Sequence, residues 1–233
     1  YIKHRLNGFD GDSPRRTPKD LEEYPAFSKR ASSSGGVPTY SRPQCVGPIS
    51  VKDLKPLEVD LQNFKDALSV SEATDAFMNA ASPGVIAQFQ PNQHYPDHSS
   101  YLYALADAMK VEYEGIAEAG LVIQIDSPDL ALGRHVLFKD QSDEEFVAMA
   151  ELHIEALNHA LQNIPAEQLR LHVCWGNYQG PHHCDIEMKK ILPAVLKAKP
   201  MALSFEGANP RHSHEWSVFR DAKIPENKVL IPG

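Results

Sequence analysis

Cysteine is scarce in this sequence: Cys45, Cys174 and Cys184 are the three in 233 residues. That is too few for a disulfide-built scaffold, and the odd count leaves at least one thiol free. No stretch approaches the ~18 consecutive apolar residues that a membrane-spanning helix needs. No secretory signal opens the chain either, so a reducing cytoplasm is the expected location. Basic residues are in deficit, with 23 Lys and Arg against 31 Asp and Glu and a formal net charge of -8. Without basic clusters to neutralise phosphates, the chain is a poor nucleic-acid binder, and neither nucleic acid nor membrane is an expected partner. Internal repeats and sustained heptads are lacking as well. What remains is the composition of an ordinary globular chain, 42% hydrophobic and 23% charged.

The first 44 residues are dense in turn formers, from Gly8 and Gly11 through Pro14, Pro18 and Pro25 to Ser32-Ser33-Ser34-Gly35-Gly36, Pro38 and Pro43. Such a stretch buries little apolar surface, so residues 1–44 are expected to form an irregular arm or excursion. From residue 45 to residue 233 the pattern becomes regular. Strand-like runs are expected at 45–51, 85–90, 121–126, 169–174, 201–206 and 229–231. Helical stretches fall between them at 57–81, 102–116, 142–161, 186–199 and 213–222. The first helix is expected to close at Ser82-Pro83-Gly84, and Ser142 with Glu145 forms a capping box that opens the third. Strands made of continuous apolar runs, alternating with helices, point to an α/β fold with a parallel sheet, either open or closed into a barrel.

In parallel α/β folds chemistry gathers at the C-terminal ends of the strands. Four expected strands end in reactive or polar residues: Gln88 and Gln90, Gln124 and Asp126, His172 and Cys174, and Glu206. His172 and Cys174 are two residues apart, so on a strand they share a face. An imidazole, a thiolate and a carboxylate together suit zinc, which accepts N, S and O donors. A His-x-Cys pair on its own is equally the mark of a core thiol beside a satisfied histidine. His182, His183, Cys184, His212 and His214 lie in the two following loops and are compatible with a second metal site. Pocket-lining or helix-capping roles are the simpler account, with Asp185 as the expected N-cap of the next helix. His4, His94, His98, His135, His153 and His159 show no ligand-like spacing and are expected on surfaces or helix faces.

Gln124-Ile125-Asp126-Ser127-Pro128, His172-Val173-Cys174 and Ser204-Phe205-Glu206, in this order on successive strands, resemble the catalytic domain of the cobalamin-independent methionine synthases. The loops 175–185 and 206–216 are most similar to the shorter, single-domain homologues. The resemblance implies a (β/α)8 TIM barrel and a zinc-dependent methyltransferase. Its metal ligands would be His172, Cys174 and Glu206, with a second cysteine of the family near the C-terminus. It places Asp126, with Gln124 of the same motif, at the amino group of homocysteine, whose thiol takes a methyl group from 5-methyltetrahydrofolate or a related donor. Two positions depart from the family pattern. Ser127 replaces an acidic residue, and Leu132 stands where full-length synthases carry a folate-contacting Glu.

Two other readings stay open at this level: a zinc-dependent alkyltransferase acting on another thiol such as coenzyme M, and a non-catalytic barrel or binding protein that retains the motif. Six expected strands fall short of eight, and the chain starts at Tyr1 without a methionine. A partial barrel and an internal fragment, with the fourth zinc ligand beyond Gly233, are therefore expected.

Overall fold

The computed structural model describes residues 2–14, 16–34, 42–177 and 180–233. Gly35, Gly36 and Pro38 of the expected arm, and Tyr178 and Gln179 of the loop after the His-x-Cys segment, lie outside the described residues. In chain order the elements are α1 (Ile2–Arg5), β1 (Leu6–Asp10), α2 (Lys19–Glu23), α3 (Pro25–Ser34), β2 (Gln44–Val51), α4 (Lys55–Ser69), β3 (Phe77–Ala81), α5 (Pro83–Phe89) and α6 (His98–Glu118). There follow β4 (Val122–Asp126), α7 (Gly133–Val136), α8 (Asp143–Ala160), β5 (Leu169–His172), α9 (Met188–Val195), β6 (Ala202–Phe205), α10 (Trp216–Asp221) and β7 (Val229–Pro232).

Strands β3 to β7 form one parallel sheet in sequential order, with helices in the crossovers. This is a partial (β/α)8 barrel. A single register row runs Ala81, Asp126, His172, Ser204, Ile231 across all five strands. Ile123, Ile125, Leu169, Leu171, Leu203 and Phe205 are buried. Their alternates Gln124, Asp126, Arg170, His172 and Ser204 are only half-buried. The strands are therefore not apolar throughout, as the sequence suggests, but apolar on the helix-covered face and polar on the other.

Three expectations of secondary structure are overturned. The stretch 57–81 is not one helix: α4 ends at Ser69 and Phe77–Ala81 is β3. Ala, Met and Phe are tolerated in both structures, so a pattern search does not separate them. Val85–Gln90 is not a strand but most of α5. The Ser82 side chain accepts a hydrogen bond from the Val85 N–H at 2.9 Å, and Pro83 takes the first helical turn. Ser-Pro thus starts a helix here instead of ending one. Finally, residues 6–10 are a strand, paired antiparallel with residues 44–51 as a two-stranded sheet separate from the barrel. The expected strand 45–51 therefore exists but is no barrel strand. Gly8 (φ 91°) admits this pairing, because a Cβ there would stand 2.7 Å from the Gly47 and Pro48 carbonyl oxygens. Arg5 anchors the segment through ion pairs to Asp60 on α4 and, at 2.8 Å, to Glu112 on α6.

The capping box forms as expected: the Ser142 hydroxyl accepts from the Glu145 N–H and the Glu145 carboxylate accepts from the Ser142 N–H. Between α5, α6 and α8 lies a buried polar chain. Ser82 donates to Asp129 Oδ1 at 2.7 Å, Asp129 Oδ2 receives His153 Nδ1 at 2.8 Å, and His153 Nε2 meets His98 Nε2 at 2.8 Å. His153 is thus a core residue and not a helix-face one. Burial, and then the neighbouring His153 ring, pull the His98 pKa down to about 4.

Two outcomes follow from this chain. Gly84 abuts it so closely that an added Cβ would lie 2.0 Å from Asp129 Oδ2 and 2.5 Å from His153 Nδ1. Gly84→Ala should cost about 1–3 kcal/mol in urea unfolding, the range for overpacking. His98 binds a proton less readily folded than unfolded, so its contribution to stability is complete above pH ~6.5 and is lost as pH falls toward 4. In denaturant titrations at successive pH values, His98→Gln should flatten that part of the acid limb relative to wild type.

Candidate active site

Strand β4 delivers Gln124 and Asp126 to the open face two residues apart, and the Gln124 amide donates to Asp126 Oδ1 at 3.2 Å. Arg170 on β5 reaches Gln124 Oε1 at 3.4 Å while its guanidinium lies 4.3 Å from the centre of the Phe77 ring. His172 ends β5 in register between Asp126 and Ser204. Cys174 lies two residues past that strand, but the alternation of burial continues through Val173, so it keeps to the side of His172. The extension is pinned by main-chain bonds from Val173 N–H to Ser204 O and from Leu132 N–H to Cys174 O.

Glu206 follows β6 and faces this extension. Its carboxylate accepts from the Trp175 N–H at 3.2 Å and from the Asn209 amide, and it lies 3.7 Å from Arg211 Nη2. Cys174 Sγ accepts from the Gly176 N–H at 3.2 Å. Burial pushes the Cys174 thiol pKa up, and hydrogen bonding to Glu206 together with the negative charges of Glu206 and Asp126 raises it further against the Gly176 N–H. The Cys174 thiol therefore stands in the negative field of Glu206 and Asp126, which disfavours its thiolate. His172 is not drawn into the same cluster: among the described residues, the donor atoms of His172, Cys174 and Glu206 do not all lie within 4.8 Å of one another.

Gln88, expected at a strand end, sits instead on α5, 1% exposed and with neither amide atom hydrogen-bonded. It borders a cavity of about 270 Å³ that is also lined by Arg16, Arg42, Leu132, Gly176 and Asn177. Residue 132 thus reaches a cavity beside the Cys174 loop. Arg16 and Arg42, both from the first 44 residues, line it as well.

Carbon-tight packing continues beneath the loops. Trp175 is fully buried, donates to Ile186 O at 2.7 Å and stacks on His212 at 4.2 Å. Asp185 is not a helix cap; residue 187 takes that place. Burial raises the proton affinity of the Asp185 carboxyl, but hydrogen bonds from His182 and His212 outweigh this and hold its pKa below the ordinary value. Burial opposes charge on His212, yet Asp185 and Glu215 on either side lift its pKa to about 9. His135, expected on a surface, is 0% exposed. The crowd of His and Asp in 182–185 was the only sequence signal for this cluster; Asp20 and His135, distant in sequence, carry none.

No protein-family model matches the chain. It is 30% identical over 173 residues to the methionine synthase of Saccharolobus solfataricus, covering 72% of this chain and 47% of that one. To the methionine synthase of Sulfurisphaera tokodaii it is 29% identical over 144 residues, or 61% of this chain and 37% of that one. In fold it matches a B12-independent methionine synthase from Shewanella sp. W3-18-1, solved in complex with selenomethionine. That match has a TM-score of 0.64 at 19% identity and covers 99% of this chain and 59% of the other. By sequence the chain is similar to archaeal methionine synthases, and by fold to a B12-independent one. It spans about half the length of the curated methionine synthases it matches. Among the described residues no helix is long and apolar enough to cross a membrane.

The charge of Glu206 near Cys174 has a measurable consequence. In chelator-treated protein, Glu206→Gln should lower the thiol pKa, because the carboxylate disfavours the thiolate. Iodoacetamide labelling of the Cys174 peptide, followed by mass spectrometry across pH, should shift to lower pH in that variant. An unchanged profile would break the link.

Proposed function

We propose that the chain carries the methyl-transfer site of a cobalamin-independent methionine synthase. In this reading a methyl group passes from 5-methyltetrahydrofolate or a related donor to the thiol of homocysteine, giving methionine. The observation that carries it is the convergence of Asp126, Cys174 and Glu206 at the C-terminal mouth of the sheet, in the order the family resemblance requires. The curated methionine synthases and the fold likeness support the same reading.

The donor set fits a zinc ion. A half-buried thiol beside two carboxylates holds its proton more tightly than a free one, and a divalent cation in that position would replace the proton and offset the carboxylate charge. Cys174 and Glu206 would hold the ion, with His172 from the end of the same strand as Cys174. When bound, zinc supplies a Lewis acid that keeps a substrate thiol in its nucleophilic thiolate form at neutral pH.

The chain's own residues do the positioning. Asp126 offers a carboxylate to the ammonium group of homocysteine, and the Gln124 amide holds that carboxylate in place through Oδ1. Glu206 is oriented by the Trp175 N–H and the Asn209 amide. Leu132, Gly176 and Gln88 border the adjoining cavity, which is suited to the donor. Its two arginines favour a donor bearing negative charge. Three unpaired cysteines suit a reducing compartment, in keeping with a cytoplasmic enzyme.

Methyl-transfer assays with homocysteine and with coenzyme M test the reading. Homocysteine should be methylated, Cys174→Ser should lose activity and one equivalent of the zinc that the wild type binds, and Asp126→Asn should raise the KM for homocysteine about 30-fold or more through loss of the ammonium's partner. Transfer to coenzyme M alone would assign another thiol substrate. Transfer to neither, with zinc unchanged in Cys174→Ser, would leave a binding protein.

A further inference from the structure

We propose that Asp20, His135 and Asp185 form a buried divalent-cation site of the zinc class that fastens α2 to the barrel. The three come from distant parts of the chain: α2, α7 and the loop after β5. Asp20 and His135 are 0% exposed, and the Asp185 side chain is 7% exposed. His135 Nδ1 lies 3.5 Å from Asp20 Oδ2 and 3.4 Å from Asp185 Oδ1. These separations are long for hydrogen bonds. They match the ~3.3–3.5 Å edge of a tetrahedron whose N and O donors stand about 2.0–2.1 Å from a central ion. One donor atom from each of the three residues lies within 4.8 Å of the other two.

A second observation points the same way. Neither ring nitrogen of His135 has a hydrogen-bond partner, nor does Asp20 Oδ2. Buried polar atoms left in this state are costly and call for an occupant. The rest of the cluster is arranged as a support. Asp20 Oδ1 accepts from the Cys184 N–H at 2.8 Å and lies 3.1 Å from His183 Nδ1, which leaves Oδ2 turned to His135. Asp185 Oδ2 is held by His182 Nδ1 and His212 Nε2, both at 3.0 Å, and Oδ1 lies 3.2 Å from His182 as well as facing His135. His212 is fixed in turn by Glu215 at 2.9 Å, and Glu215 by the Met188 N–H. Both carboxylates are thus locked in orientation by outer partners, the arrangement that supports metal ligands. Imidazole and carboxylate donors without thiolate suit zinc among the common divalent ions.

This site shares no residue with the Cys174–Glu206 pair, so its occupancy is independent of methyl transfer. The test measures zinc by elemental analysis in Cys174→Ser protein, purified after zinc loading and desalting. About one equivalent should remain there and should be lost when His135→Asn or Asp20→Asn is added, while Cys184→Ser should retain it. Cobalt(II) loaded into the Cys174→Ser protein should give ligand-field bands without thiolate-to-cobalt charge transfer. Limited proteolysis after chelation should release the α2 segment from folded protein, a readout that does not require the double variants to fold. No zinc in Cys174→Ser, equal zinc with and without His135→Asn, or proteolysis unaffected by chelation would each overturn the site and leave a buried His–carboxylate pair.

Discussion

Burial of Ile123, Ile125, Leu169, Leu171, Leu203 and Phe205 against the helix layer decides which way every alternate residue of β4 to β6 points. Side chains on a strand alternate strictly, so committing these six to the helices commits Gln124, Asp126, Arg170, His172 and Ser204 to the opposite face. Parallel pairing then brings Asp126, His172 and Ser204 into one row. A slip of one residue in any strand would turn its polar set into the helix layer, at the cost of burying unpaired charge. The candidate site inherits its precision from this apolar face.

Charge in the interior is handled by two different means. Around Asp129 the polar atoms are hydrogen-bonded to one another: Ser82 donates to one carboxylate oxygen, His153 Nδ1 lies against the other, and His153 Nε2 meets His98. Around Asp185 and His212 a raised imidazole pKa and a lowered carboxyl pKa describe an ion pair supported by Glu215. Between these, the charge of Glu206 disfavours the Cys174 thiolate, while Asp20 Oδ2 and the His135 ring are left without hydrogen bonds where they face each other. The last two places are where a cation would supply what the protein's own groups do not.

The first 44 residues contribute more than their composition suggests. Their glycine and proline density hides a five-residue strand because Gly8 is required by its contact with Gly47 and Pro48, not by disorder. Asp20 is buried beneath loop 182–185, and Arg16 lines the cavity beside Gln88. An arm with such contacts belongs to the architecture of the site.

Local patterning alone was enough for α6, for the capping box of α8, and for the strands ending in Asp126, His172 and Phe205, because period and end signals there agree. The same patterning placed the motif residues at strand ends, which is where parallel sheets collect chemistry. It failed at Ser82-Pro83, which serves equally as a stop and a start, and at Phe77–Ala81, whose residues are at home in either structure. Only the tertiary structure decided that Glu206 meets the loop after Cys174, and that Asp20, His135 and Asp185 converge. Those contacts join residues up to 165 positions apart. Nothing in local sequence encodes such distances; they are set by how helices pack on a sheet whose register is fixed by its buried face.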